Sequence, residues 1–130
     1  MPHRARVACV GASFALGLAI TLSIARADDD PNRAQFLTSC GTCHSTDPAA
    51  PPRQGPNLFG VYGRKAGTLE SFQYSDALKS ADWTWDEQHL DKWIENAQAM
   101  RPGVVMPYRQ ADPAKRAKVI EYLKSLKAAP

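Results

Sequence analysis

Cys40 and Cys43 stand two residues apart in Ser39-Cys40-Gly41-Thr42-Cys43-His44-Ser45, and His44 follows the second directly. A thiol adds to a vinyl group to give a thioether, and an imidazole nitrogen ligates iron. Cys-x-x-Cys-His is the attachment pattern of c-type haem. The two-residue gap lets one turn of chain reach both vinyl groups of a single macrocycle, and it brings His44 under the iron as proximal ligand. A structural zinc site needs four ligands, and no second cysteine pair exists to complete one. A thioredoxin-like redox pair needs a βαβ context, and the flanking hydrophobic pattern shows no parallel strands. A lone disulfide would leave His44 without a role.

A single haem leaves the other face of its iron either open or filled by a second side chain. The candidates are His89, Met100 and Met106. His89 lies in Thr84-Trp85-Asp86-Glu87-Gln88-His89-Leu90, a helix start in which Thr84 and Glu87 are expected to form a capping box. It reads as a solvated surface histidine. Met100 ends that helical run, where core or surface filling is its expected part. Met106 follows the Pro102-Gly103 turn in an extended apolar stretch, and Pro107 biases it away from helix. The pattern leans towards Met106 and leaves Met100 open.

The elements that must position these groups read as helices and loops. A first helix spans about Pro31 to Ser39, with Phe36 and Leu37 as its apolar residues, and delivers Cys40. Residues 46–65 are rich in Pro and Gly and aperiodic, hence loop. A short helix follows Ser75. The next, from about Trp85, places Leu90, Trp93, Ile94 and Ala97 at i, i+3, i+4 and i+7. The last begins at Asp112 as N-cap with Pro113 behind it, and is expected to bury Val119, Ile120, Tyr122, Leu123 and Leu126. Strand signals are weak and no internal repeat is present.

Before these elements, Val7 to Ile24 is an uncharged apolar run preceded by Arg4 and Arg6 and followed by Ala25-Arg26-Ala27. The order is that of a secretory signal, expected to be cleaved after Ala27, which leaves residues 28–130 as one domain. An uncleaved anchor is the alternative, since the run is just long enough to span a bilayer. The leader holds three of the 16 basic residues and none of the 13 acidic ones, so the net charge of +3 vanishes with it. Nucleic-acid binding has no electrostatic support. A domain this small gains from a cofactor in its core.

Taken in order, several stretches resemble class I cytochromes c of the mitochondrial and bacterial short-chain type: Cys40-Gly41-Thr42-Cys43-His44, Gly55-Pro56-Asn57-Leu58, Tyr62-Gly63-Arg64-Lys65, Phe72-x-Tyr74-Ser75-Asp76-Ala77, Thr84-Trp85, Pro102-Gly103-x-x-Met106 and Tyr122-Leu123. The likeness runs from about Phe36 to Lys127. It implies an all-α fold in which the first and last helices cross and one covalently bound haem c sits in a crevice. It implies His44 and Met106 as axial ligands, and the Pro56 carbonyl as hydrogen-bond partner of the His44 ring. Arg64, Tyr74 and Trp85 would surround a buried propionate, which needs paired donors.

The departures bear on mechanism. The family commonly has a tyrosine donating to the methionine sulfur where this chain has Trp93. It often has asparagine and threonine where Leu78 and Val104 stand, and a glycine in the first helix where Asn32 stands. A drier pocket, a looser first–last helix crossing and a less securely held Met106 are the expectations. The resemblance implies a soluble one-electron carrier in the periplasm, not an enzyme, monomeric. Its expected partners are a membrane respiratory or photosynthetic complex, a terminal oxidase or a periplasmic dehydrogenase. Several places where relatives carry lysines hold Ser39, Gln98 and Val105. Arg53, Arg101 and Arg109 would leave a partial positive patch, with Val104 and Val105 giving apolar contact and weak-to-moderate salt dependence. The alternatives are a small-ligand-binding or sensing haem protein with a labile Met106, and the haem subunit of a larger dehydrogenase.

Overall fold

A computed structural model of the chain describes residues 30–126. The expected leader, residues 1–27, lies outside the described residues. Four helices follow in order: α1 (Pro31–Ser39), α2 (Asp76–Lys79), α3 (Glu87–Met100) and α4 (Pro113–Ser125). Among the described residues the only β feature is an isolated antiparallel bridge between Lys65 and Thr84. No helix there is long and apolar enough to cross a membrane.

Helices α1 and α4 start alike. Asp30 accepts from the Asn32 N–H at 2.9 Å, and Asp112 accepts from the Ala114 N–H at 2.9 Å. Each is followed by a proline, whose missing N–H costs nothing in a first turn. Helix α3 starts later than its sequence suggests. The expected Thr84–Glu87 capping box does not form, and Asp86 is the N-cap, accepting from the His89 N–H at 2.8 Å. Extended backbone pairing decides this. Thr84 bridges to Lys65, the Trp85 N–H donates to the Arg64 carbonyl at 2.9 Å, and Gly63 donates to the Trp85 carbonyl at 2.8 Å. Residues 84 and 85 are thus held straight, which places Trp85 against the core instead of on a helix.

The core lies where α1 and α3 pack on α4. Phe36, 1% exposed, meets the Tyr122 ring at 5.0 Å and closes the α1–α4 crossing. Leu90, Trp93, Ile94 and Ala97 are all buried, as their spacing predicts. Leu37, the other apolar residue of α1, faces outward, and Leu126 is only partly buried. The core face of α4 also carries a charge that the sequence reading passed over. Arg116 is buried, pairs with Asp91 of α3 at 2.7 Å, and donates to the Gln110 and Ala111 carbonyls at 3.0 and 2.9 Å. It ties the loop between α3 and α4 to both helices.

Candidate haem site

The Cys40–His44 segment leaves α1 as one tight turn. Cys40 donates to the Phe36 carbonyl at 2.7 Å, and the N–H groups of Cys43 and His44 both reach the Cys40 carbonyl, at 3.1 and 2.9 Å. No disulfide joins the two cysteines. As a thiol not yet attached to haem, Cys40 is pushed up to about 12 by burial and secondarily by the neighbouring Cys43.

His44 is oriented by the backbone. Its Nδ1 lies 2.8 Å from the Pro56 carbonyl oxygen. A carbonyl only accepts, so Nδ1 carries the proton and Nε2 keeps the lone pair that a metal needs. Burial pulls the imidazole below its ordinary 6.5, against the opposing pull of the Pro56 bond. Glycine is required beside it, because a Cβ at Gly55 would collide with the His44 ring.

Met106 arrives on the loop between α3 and α4, partly buried. The Trp93 indole Nε1–H donates to its Sδ at 3.0 Å. The expectation of a less securely held methionine rested on the loss of a hydrogen-bond donor. The tyrosine is gone, but an indole N–H from the core face of α3 supplies the donor. Trp93 is itself set by Trp85, edge to face at 5.1 Å.

Arg64, Tyr74 and Trp85 converge as well. The Arg64 guanidinium donates to the carbonyls of Asn57 and Phe59, each at 3.3 Å. Burial lowers its pKa, and Tyr74 opposes the shift. Tyr74 is raised by burial, with Arg64 opposing. No carboxylate side chain is bonded to Arg64 among the described residues, so this corner favours an anionic group brought from outside the chain.

One cavity of about 630 Å³ has Cys40, Cys43, His44, Arg64, Tyr74, Trp85, Trp93 and Met106 in its wall, and Leu58, Val61, Leu78, Leu90, Ile94 and Val119 make much of the rest. His89 and Met100 are not in that wall. His89 pairs with Asp86 at 2.8 Å, and Met100 packs against the core. Val104 is buried, against its expected place on the docking surface, whereas Val105 is 80% exposed. Among the described residues no cluster of three His, Cys, Asp or Glu side chains could hold a metal ion. A c-type haem fits what is present: two thiols beside an imidazole with a free Nε2, a thioether held by its own donor, apolar walls and a cationic corner.

The sequence reading missed two contributors to the site and one buried charge outside its wall. Gly55 was legible only as part of a motif, and the Trp93 donor was read as a loss. Arg116 had a signal, since positions 116, 119, 120 and 123 are helically spaced with a charge on the apolar face.

Comparison with known proteins agrees with this geometry. Residues 32–127 match the profile of the cytochrome c family. The chain is 40% identical to the cytochrome c2 of Rhodomicrobium vannielii over 119 residues, covering 91% of this chain and 92% of that protein. It is 37% identical to the cytochrome c2 of Blastochloris viridis, covering 85% and 88%. Among solved structures, cytochrome cH from Methylobacterium extorquens superposes with a TM-score of 0.66 at 34% identity, covering 72% of this chain and 94% of that one. By a domain-length match, by identity and by fold, the chain belongs to the cytochrome c family, with one covalently attached haem c.

Proposed function

We propose that this electron carrier holds its haem c through thioethers to Cys40 and Cys43, with His44 Nε2 and Met106 Sδ as the axial ligands. Arg64, Tyr74 and Trp85 enclose one propionate. When bound, haem supplies a one-electron iron couple, and a soft sulfur ligand together with burial favours the ferrous state. The chain's own residues keep that couple in place. Pro56 fixes the His44 tautomer, Trp93 holds the sulfur, and the apolar wall excludes water.

One observation carries this reading. The two ligand-competent side chains line a single cavity, and each is oriented by its own hydrogen bond. The same two ligands then serve both oxidation states, so little rearranges when an electron moves. Electron carriers of this family are generally non-enzymatic.

The working place is the periplasm, with residues 28–130 as the mature domain after cleavage behind Ala27. Its partner is a membrane respiratory or photosynthetic complex, a terminal oxidase or a periplasmic dehydrogenase. Val105 stands exposed beside Met106, while Arg101 is engaged with Ala77 and Ser80. Association is therefore expected to depend weakly on salt, changing by less than about tenfold across the range that screens exposed charges.

The test is carbon monoxide added to the reduced, haem-loaded protein. An unchanged visible spectrum, against ready binding by Met106→Ala, is the expected result. Ready binding by the native protein would overturn Met106 ligation and favour a small-ligand-binding protein.

A further inference from the structure

All three tryptophans of the chain form one stack. Trp93 meets Trp85 with ring centroids 5.1 Å apart and planes at 69°, and Trp85 meets Trp83 at 5.8 Å and 82°. Both contacts are edge to face, which sets the positive edge of one ring against the negative face of the next. The inner end of the stack holds Met106 through the Trp93 N–H. The outer end is Trp83, partly buried and outside the cavity wall. Its ring lies parallel to His89 at 5.8 Å, and the Arg101 guanidinium carbon sits 5.9 Å above it.

Arg101 is the first residue of the loop that carries Met106. Its Nε donates to the Ala77 carbonyl at 2.9 Å and its NH2 to Ser80 Oγ at 2.9 Å. The stack thus touches the ligand loop twice, at Arg101 from its outer ring and at Met106 from its inner one. Trp83 has no polar reason for its place. Its indole N–H is buried and finds no acceptor among the described residues, a costly arrangement that ring contact has to offset.

We infer that Trp83 is a positioning residue for Met106. It acts through Trp85 and Trp93 at one end of the loop and through Arg101 at the other, and so keeps the loop closed over the cavity. This rests on Met106 as sixth ligand. The loop has no regular secondary structure, so its closure depends on a few contacts. Without the outer ring, Trp85 loses an edge-to-face partner and Arg101 loses the ring face beneath it. The state with Met106 detached is then more populated, and an added ligand draws on that state.

The experiment mixes the oxidised, haem-loaded protein with imidazole and records the binding rate, together with the sulfur-to-iron charge-transfer absorbance. Met106→Ala marks the open limit. Trp83→Leu is expected to bind imidazole roughly three- to tenfold faster than native, the scale of an aromatic pair contact, with weaker charge-transfer absorbance. Trp83→Phe keeps a ring, loses no hydrogen bond, and is expected to restore the native rate. Arg101→Gln removes the cation from the same ring together with its bonds to Ala77 and Ser80; it is expected to speed binding more than Ser80→Ala does, and that difference decides the matter if Trp83→Leu does not fold. A slow native protein, a fast Met106→Ala and unchanged rates in both Trp83→Leu and Arg101→Gln would overturn the stack's role while leaving Met106 ligation standing. A native protein as fast as Met106→Ala would overturn the ligation, and the inference with it.

Discussion

Imidazole orientation depends on the absence of a single methyl group. Gly55 backs the His44 ring so closely that any Cβ would overlap it. Gly55→Ala must therefore push the ring off the Pro56 carbonyl or push the loop outward. The expected loss is about 1–3 kcal/mol, the usual cost of overpacking, seen as a lower denaturant midpoint with an altered haem absorbance spectrum. A second residue-scale prediction concerns the thioether. Trp93→Phe keeps an aromatic ring against Trp85 but deletes the donor and part of a buried ring. It is expected to cost about 2–4 kcal/mol, one hydrogen bond plus the space left by the lost atoms, and to let carbon monoxide bind the reduced protein measurably. The sequence made the two cysteines, His44 and Met106 legible because their chemistry is written in residue type and spacing. It did not make the Trp93 donor legible. Whether an indole points its nitrogen or its six-membered ring at a sulfur depends on how α3 is rotated, and that rotation is set by the neighbours of Trp85.

Helix starts carry the pH dependence that can be argued from this structure. The Asp86 carboxyl is held below its ordinary 3.8, first by the His89 backbone N–H and then by the His89 side chain. A carboxylate lowered on folding adds stability above its unfolded value, and that contribution disappears as pH falls through the lowered one. Asp86→Asn is therefore expected to lower thermal stability most at about pH 6 to 8, where the contribution is complete, and to flatten the acid side of the profile so that the two proteins converge below about pH 4. The α1–α4 crossing gives another test. Phe36→Ala removes a ring that is 1% exposed and in contact with Tyr122, and is expected to cost about 3–5 kcal/mol by chemical denaturation. Asn32 lies at the start of α1 with its N–H on Asp30. Helices α1 and α4 were legible almost to the residue, because Asp-Pro caps act locally. The start of α3 was not, since Thr84 has a cap-like sequence but is taken by a bridge to Lys65, distant in sequence and adjacent in space.

At the scale of the whole molecule, the hydrophobic core and the haem cavity are one object. Leu78, Trp85, Leu90, Trp93, Ile94, Val104, Val119 and Leu123 are buried core residues that also line the cavity. The protein without haem would have to leave that volume empty or filled with water beside apolar walls. It is expected to lose cooperative unfolding and most helical ellipticity, and circular dichroism of Cys40→Ser/Cys43→Ser stripped of haem checks this. Sequence alone determined the attachment pattern, the four helices, the candidate ligands and the family likeness, because caps, periodicity and a fixed Cys-x-x-Cys-His spacing depend on near neighbours. Only the tertiary structure decided which way side chains with two options turn. Val104 went inward and Val105 outward, His89 and Met100 were left out of the cavity wall, Arg116 was buried against Asp91, and three tryptophans met in one stack. Each outcome follows from contacts between segments far apart in the chain, and a local pattern does not encode which segments will meet.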